Sequence, residues 1–525
     1  MNRLLTVADA VATHARLHPH KIGARDSRLS LTFTQWNDRA NRLANGLLGL
    51  GLAPGDRVAL LAYNRVEWME FYVALARAGL VAVPINFRLT SPEIAYIVEH
   101  SEASAFIVHD ELLDRVAPMR ATLPVAPHRY VQLGGEAADG WVGYEALIAA
   151  ASDAAPVVAV LPGDASALMY TSGTTGKPKG AIRSHEGSTL IALATALEMG
   201  FTRDDTALLV MPMCHANSLY FSHTFVHLGA TCVIDDRRSF DPEALLATLA
   251  GQKVTFTSLV PTHYIMMLGL SDAVKAKYDV SRVDKLMISS APARRETKLA
   301  ILEHFRNGKL YELYGSTEAG WVTLLRPEEQ IDKLGSVGRE WAGSGPIRLL
   351  DAQGNEVPDG EVGELHSRSP YVFDGYWKNP QKTAESFCGA WCSVGDMARR
   401  DADGFIYLVD RKSNMIISGG ENVYPSEVES VLGAHPAVKD VAVVGVPHAK
   451  WGEAVQAVVV LHAEQSAEEA ELLDWCRCRI AGFKRPQAVR FVADHEMPRT
   501  ATGKILHRVL RDQIATQAVL TTPGN

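Results

Sequence analysis

YTSGTTGKPKG, residues 170–180, sets three glycines, four Ser or Thr and two lysines in eleven positions. Gly173, Gly176 and Gly180 allow tight turns and a close approach of backbone to an anion. Hydroxyls and exposed N–H groups donate to phosphate oxygens, and Lys177 and Lys179 add mobile positive charge. The nucleotide-hydrolase pattern requires four residues between its first Gly and Gly-Lys, with Ser or Thr next. Here two residues separate Gly173 from Gly176-Lys177, and Pro178 follows. Proline gives no N–H and resists the helix start into which such a loop leads. The apolar tail of DASALMY predicts a strand directly before the loop, and that order favours phosphate over a plain solvated basic loop.

Outward from this loop, the first four hundred residues alternate short β-branched runs with helical patterns. RVALLAY (57–63), GLVAVPI (79–85), SAFIVHD (104–110), TALLVMP (206–212), ATCVIDD (230–236), KVTFTSL (253–259) and VDKLMIS (283–289) read as strands. Trp68–Ala78 and ALLATLAGQ (244–252) read as helices between them. Continuous apolar strands separated by helices predict sheets covered on both faces. Beyond about Gly335, GSVGRE, DAQGNEVPDGEVGEL and DADGFIYLVDR bring dense turn residues around short strands, which predicts a β-rich subdomain. From residue 413 a small α+β domain follows, its PSEVESVLGAHPAVKDVAVVGVPHAKWGEAVQAVVVLH reading helix, strand, turn, strand. The predicted class is α/β, with domains at 1–412 and 413–525.

Bulk properties narrow the function. At 525 residues the chain exceeds one ordinary core. Apolar content of 47% and charge of 21% describe a globular protein, and a net charge of −8 argues against nucleic acid. Six cysteines form no disulfide framework, and His and Cys are too scattered for structural zinc. The first 23 residues resemble an amphipathic helix of the fold rather than a secretion signal. No run reaches the roughly 18 apolar residues of a bilayer span, so the expected location is cytoplasmic. Oligomeric state stays open, with a homodimer among the expectations.

Four further stretches carry polar residues that packing alone does not predict. YELYGSTE (311–318) presents Tyr314, Gly315, Thr317 and Glu318; WCSVGD (391–396) ends in Asp396. DRKSNMIISGGENVYPSEVE (410–429) contains Arg411 and Gly419–Gly420, and PRTATGKILHR (498–508) contains Lys504. With the 170–180 loop, these motifs resemble in order and spacing those of the adenylate-forming acyl-CoA synthetase family, across nearly the whole chain.

The resemblance implies a large N-terminal domain, a smaller mobile C-terminal domain, and a two-step reaction. A carboxylate attacks the α-phosphate of ATP to give acyl-AMP and pyrophosphate, and the thiol of coenzyme A then displaces AMP. It implies that Thr171, Ser172, Thr174, Thr175 and Gly176, with Lys177, hold the β,γ-phosphates. Tyr314 would stack on adenine beside Gly315, Thr317 would touch the α-phosphate, and Glu318 would bind Mg²⁺. Asp396 would accept the ribose hydroxyls, with Arg411 nearby. Lys504 would bridge substrate carboxylate and α-phosphate, and Gly419–Gly420 would line the path of the pantetheine arm. His215, in MPMCHANSLYF (211–221), matches the position beside the carboxylate, and Ser290, Ala291 and Pro292 match the loop beneath adenine and acid. Ser413 departs from the family's hinge residue, Asp or Lys.

No convergent charged pair demands an amino acid or dicarboxylate, so a monocarboxylic fatty or aromatic acid is expected. Two alternatives remain: a stand-alone ligase loading a carrier protein, and a non-catalytic nucleotide-binding interaction protein. Retention of Glu318, Asp396, Arg411 and Lys504 speaks against the second.

Overall fold

A computed structural model describes residues 5–171, 177–289, 293–418, 421–448, 450–477, 479–499 and 503–521, with side chains to 514. The chain divides into two compact units, Met1–Ile347 with His366–Val394, and Arg348–Leu365 with Gly395–Asn525.

The first unit is built on two large sheets. One orders its strands Val142–Gly143, Tyr130–Leu133, Ala103–His109, Arg57–Leu61, Val81–Ile85, Ala165–Thr171, Lys179–Ser184. Its pairings are parallel except the last, where Lys179–Ser184 returns antiparallel to Ala165–Thr171. The other runs Gly320–Leu325, Lys309–Ser316, Lys285–Ser289, Phe256–Leu259, Thr206–Leu209, Thr231–Ile234, Ile22–Arg25, Ser30–Thr32, with antiparallel strands at its two edges.

The continuous apolar runs have a direct cause: both faces of these sheets are covered. In Arg57–Leu61, Val58 and Leu60 face a shared core with Phe71, Val73 and Phe225, while Ala59 and Leu61 face a second core with Ile94, Ile97 and Val98. Leu208 and Val233 likewise turn from that shared core into a third one with Leu245, Leu249 and Ile301. Successive residues of a strand point to opposite sides, so a strand covered twice has no polar face. The layers are therefore helix, sheet, helix, sheet, helix.

The second unit holds the turn-rich strands Arg348–Leu350, Val362–His366, Asp396–Arg400 and Ile406–Arg411 in one sheet. Its other sheet is built on the long antiparallel pair Val438–His448 and Gly452–Leu461. Val441, Val443, Val455 and Ala457 pack beneath the helices Pro425–Leu432 and Glu469–Cys476, whereas Ala442, Val444 and Val458 pack with Leu510 and Ile514 of His507–Thr521. Cys214, Cys232, Cys392 and Cys476 are buried and Cys388 is exposed; Cys478 lies outside the described residues. Among the described residues, no helix is long and apolar enough to cross a membrane.

Candidate active site

The glycine-rich loop joins the antiparallel strands Ala165–Thr171 and Lys179–Ser184, with Thr171 paired to Lys179 at its mouth. Ser172, Gly173, Thr174, Thr175 and Gly176 lie outside the described residues. Lys177 is exposed and sits 5.3 Å from the Tyr96 ring centre, while the Lys179 ammonium lies 4.1 Å from that of Tyr376. Cations above aromatic faces are attracted by the negative face of the ring.

The YGSTE segment turns from Lys309–Ser316 into Gly320–Leu325. A side chain at Gly315 would place its Cβ 2.3 Å from the Gly320 carbonyl oxygen, so the hairpin closes only with glycine there. Gly320 itself has φ +72°. The turn carries Thr317 and Glu318. Glu318 is buried, and its Oε1 accepts from the Thr171 hydroxyl at 3.0 Å and the Tyr376 hydroxyl at 2.9 Å. Residues 147 positions apart thus meet directly. Burial and then the neighbouring carboxylate push the Tyr376 phenol up, which keeps it a donor.

Arg183, fully buried behind the turn, clamps it from Lys179–Ser184. Its guanidinium donates to the carbonyls of Thr317 (3.4 Å), Glu318 (3.3 Å) and Tyr371 (2.5 Å), and lies over the Tyr220 ring at 5.3 Å. The Tyr220 hydroxyl adds a bond to the Thr317 carbonyl at 3.3 Å. Replacing Arg183 with Met should cost about 3 kcal/mol, because three carbonyls, two of them in buried bonds, lose a charged donor. Urea unfolding measures that loss, and pyrophosphate release measures the accompanying drop in activity as the Thr317–Glu318 turn loosens. Full activity in a destabilised variant would disconnect the clamp from the site.

The fit to a divalent cation rests on Glu318. Its Oε1 is engaged twice, and Oε2 accepts no hydrogen bond among the described residues. A buried carboxylate with one oxygen to spare, beside a phosphate-type loop, suits Mg²⁺.

His215 stands immediately before the helix Ala216–Leu228. The Asn86 amide nitrogen lies 3.3 Å from its Nε2 and donates to it, which leaves the ring proton on Nδ1. Burial first, then Arg88, presses its pKa down to about 4. The ring is therefore neutral at pH 7, an N–H donor rather than a cation. Further along the helix, Asn217 bonds to the hydroxyls of Ser258 and Ser289, both at 3.1 Å. Ser290, Ala291 and Pro292 lie outside the described residues.

In the second unit, Asp396 and Arg411 are cross-strand partners, their Oδ1 and Nε 3.0 Å apart. Lys504 follows Gly503 (φ +86°) and precedes the His507–Thr521 helix, in a loop closed by a bridge between Arg499 and Ile505. Its side chain is exposed at the surface, yet the protein atoms crowding it, and then Arg411, lower its pKa against the pull of Asp396 and Asp410. Ser413 lies exposed on the turn after Arg411, where the Asn414 amide donates to Asp410 Oδ1 at 3.2 Å. Gly419 and Gly420 lie outside the described residues. Lys484 is paired with Glu427 at 2.5 Å.

Sequence reading missed Arg183, Tyr376, Asn86 and the Asn217–Ser258–Ser289 group. Arg183 carried one signal: it shares a strand face with buried Ala181, where an arginine is out of place unless it holds something.

These residues and this fold define an acyl-adenylate-forming ligase that acts on carboxylic acids, an AMP-forming acid–thiol ligase. The chain belongs to the AMP-binding enzyme family, whose model matches residues 11–377, and the model of the AMP-binding enzyme C-terminal domain matches 427–504. A feruloyl-CoA synthase of an Amycolatopsis species is 36% identical, over 95% of this chain and 96% of that protein. A long-chain-fatty-acid–CoA ligase, FadD13, of Mycobacterium tuberculosis is 34% identical, over 92% of this chain and 93% of that protein. The anthranilate CoA ligase AuaEII in complex with anthranoyl-AMP superimposes with a TM-score of 0.87 at 29% identity, over 98% of each chain.

Proposed function

We propose that this enzyme joins a monocarboxylic acid to coenzyme A through an acyl-AMP intermediate. The observation that carries the reading is the bond between Thr171, at the mouth of the glycine-rich loop, and Glu318 of the YGSTE turn. That bond supports a reading in which the loop takes phosphate and the carboxylate takes the metal. The acid carboxylate attacks the α-phosphorus of ATP and pyrophosphate leaves with the broken P–O bond. The sulfur of CoA then attacks the acyl carbon, its thiol proton is released, and AMP departs.

Charge builds on the transferring phosphorus and on pyrophosphate, so fixed donors dominate the rate. Thr171, Ser172, Thr174, Thr175, Gly176 and Lys177 hold the β,γ-phosphates; Thr317 meets the α-phosphate and Tyr314, beside Gly315, the adenine. Glu318 would hold Mg²⁺, which when bound would offset phosphate charge. Asp396, oriented by Arg411, takes the ribose hydroxyls. His215, being neutral, donates Nδ1–H without forming an ion pair with the acid. Residues 1–412 and 413–525 form the two functional domains, with Gly419–Gly420 leaving room for the thiol arm.

Incubating the protein with ATP, Mg²⁺, CoA and a panel of carboxylic acids, and identifying the thioester by mass, tests this reading. AMP and pyrophosphate with an acyl-CoA product are expected. Release of ADP, or no acid-dependent pyrophosphate, overturns it; acyl-AMP that transfers only to a carrier protein replaces CoA as acceptor.

A further inference from the structure

The helix Ala216–Leu228 packs on the strands Thr206–Leu209 and Thr231–Ile234, and its side chains reach the neighbouring Phe256–Leu259 and Lys285–Ser289. Phe225 and Phe221 of this helix stack against Phe256, with ring centres 5.5 and 4.7 Å away. One turn earlier on the same stripe stands Asn217. Two residues beyond Phe256 and Met287, which belong to the apolar layer, stand Ser258 and Ser289. Both serines are 5% exposed, and the Asn217 amide nitrogen donates to each hydroxyl oxygen at 3.1 Å. The two hydroxyl oxygens are 3.3 Å apart. An apolar layer thus ends in a polar trio, its serines buried and its asparagine half-buried, at the carboxyl ends of parallel strands, where open α/β sheets take their ligands. His215 is two residues away.

Counting donors shows what the trio lacks. Both Asn217 N–H groups are used, one on each serine. One serine hydroxyl donates to the other. One hydroxyl proton and the Asn217 Oδ1 lone pairs remain without a partner among the described residues. These are the hydrogen-bonding positions of the trio left open to a ligand. The complementary ligand group must accept one hydrogen bond and donate another. A hydroxyl does both. A carboxylate only accepts, and would set its charge against Oδ1; an alkyl chain does neither.

We infer that Asn217, Ser258 and Ser289 select a hydroxylated acid, a monocarboxylic acid whose ring or tail carries an O–H group. This rests on the acid–CoA ligase reading above, and it narrows the choice between the ring acid and the long-chain fatty acids for which relatives are named. Hydrogen bonding built into a pocket discriminates strongly, because the analogue without the group leaves the site unpaired.

Acid-dependent pyrophosphate release tests it with positional isomers of hydroxybenzoate and hydroxycinnamate, their unsubstituted parents, a dicarboxylate and octanoate. At least one hydroxylated acid should exceed its parent in kcat/KM by about tenfold or more. In the double variant Ser258→Ala, Ser289→Ala, that ratio should fall to within about threefold of unity. Because it is a ratio within one preparation, loss of folded protein cancels. Octanoate or a parent acid used as well as every hydroxylated acid overturns the inference and leaves the ligase reading standing, as does a ratio that survives the double variant. No pyrophosphate from any acid overturns both.

Discussion

Lys504→Ala should slow acyl-AMP formation by about 10²- to 10³-fold, while transfer from supplied acyl-AMP to CoA keeps most of its rate. The asymmetry follows from charge. In the first step a carboxylate approaches a phosphate, two anions whose repulsion grows as they close, and a mobile cation offsets it. In the second step a thiol attacks a carbonyl already activated, and the leaving AMP has no such encounter to survive. Single-turnover assays with labelled acid, and separately with synthetic acyl-AMP, measure the two steps. Equal loss in both would remove Lys504 from this role.

The surroundings of Lys504 add a pH signature. Crowding by protein atoms and the Arg411 guanidinium lower its pKa from the usual lysine value. The alkaline fall in kcat/KM for adenylation, which reports the free enzyme, should therefore begin at lower pH than an unperturbed lysine would set. Lys504→Arg keeps its charge throughout that range and should abolish that limb even if its rate is low.

The strands were legible because they are covered on both faces, and so their apolar runs are continuous. Their ends were less so. TALLVMP continues past its strand, which stops at Leu209, since Met211 and Met213 are apolar for a different reason: they are buried beside the loop leading to His215. KVTFTSL begins too early, because Lys253 has φ +52° at the close of the preceding helix and the strand starts only at Phe256. The motifs named most of the candidate chemistry, but their supports were invisible. Arg183 answers to carbonyls 134 to 188 residues away, and Tyr376 to a carboxylate 58 residues back. Ser258 and Ser289, each unremarkable in a strand, acquire meaning only when Asn217 lies over both. Local sequence reports propensity and burial, and it carries no record of which distant group a polar side chain meets.

Acidification from pH 7 to 4.5 should destabilise the first unit by about 8 kcal/mol, through histidines that sequence reading passed over. His185 and His223 line a small internal cavity with Tyr72, Ser166 and Ser188, and His109 is buried at the end of its strand. Burial pushes His109 and His185 down to about 4 and His223 to about 3. Both ring nitrogens of His223 are buried without a hydrogen-bond partner, so a proton there gains nothing to hold it. These groups fold neutral and protonate near 6.5 once unfolded. Their contribution is complete above that value and is lost as pH falls from about 6.5 through 4 toward 3. Within that window each should remove about 1.4 kcal/mol per pH unit, so the three together remove about 4. Against a total stability of about 5–15 kcal/mol, two pH units remove about 8, a large part of that reserve. Urea unfolding at half-unit steps gives the slope directly. His185→Asn with His223→Leu should flatten it by close to two protons, because neither replacement titrates. A slope unchanged by that pair would mean that carboxylates, and not these rings, govern the acid limit.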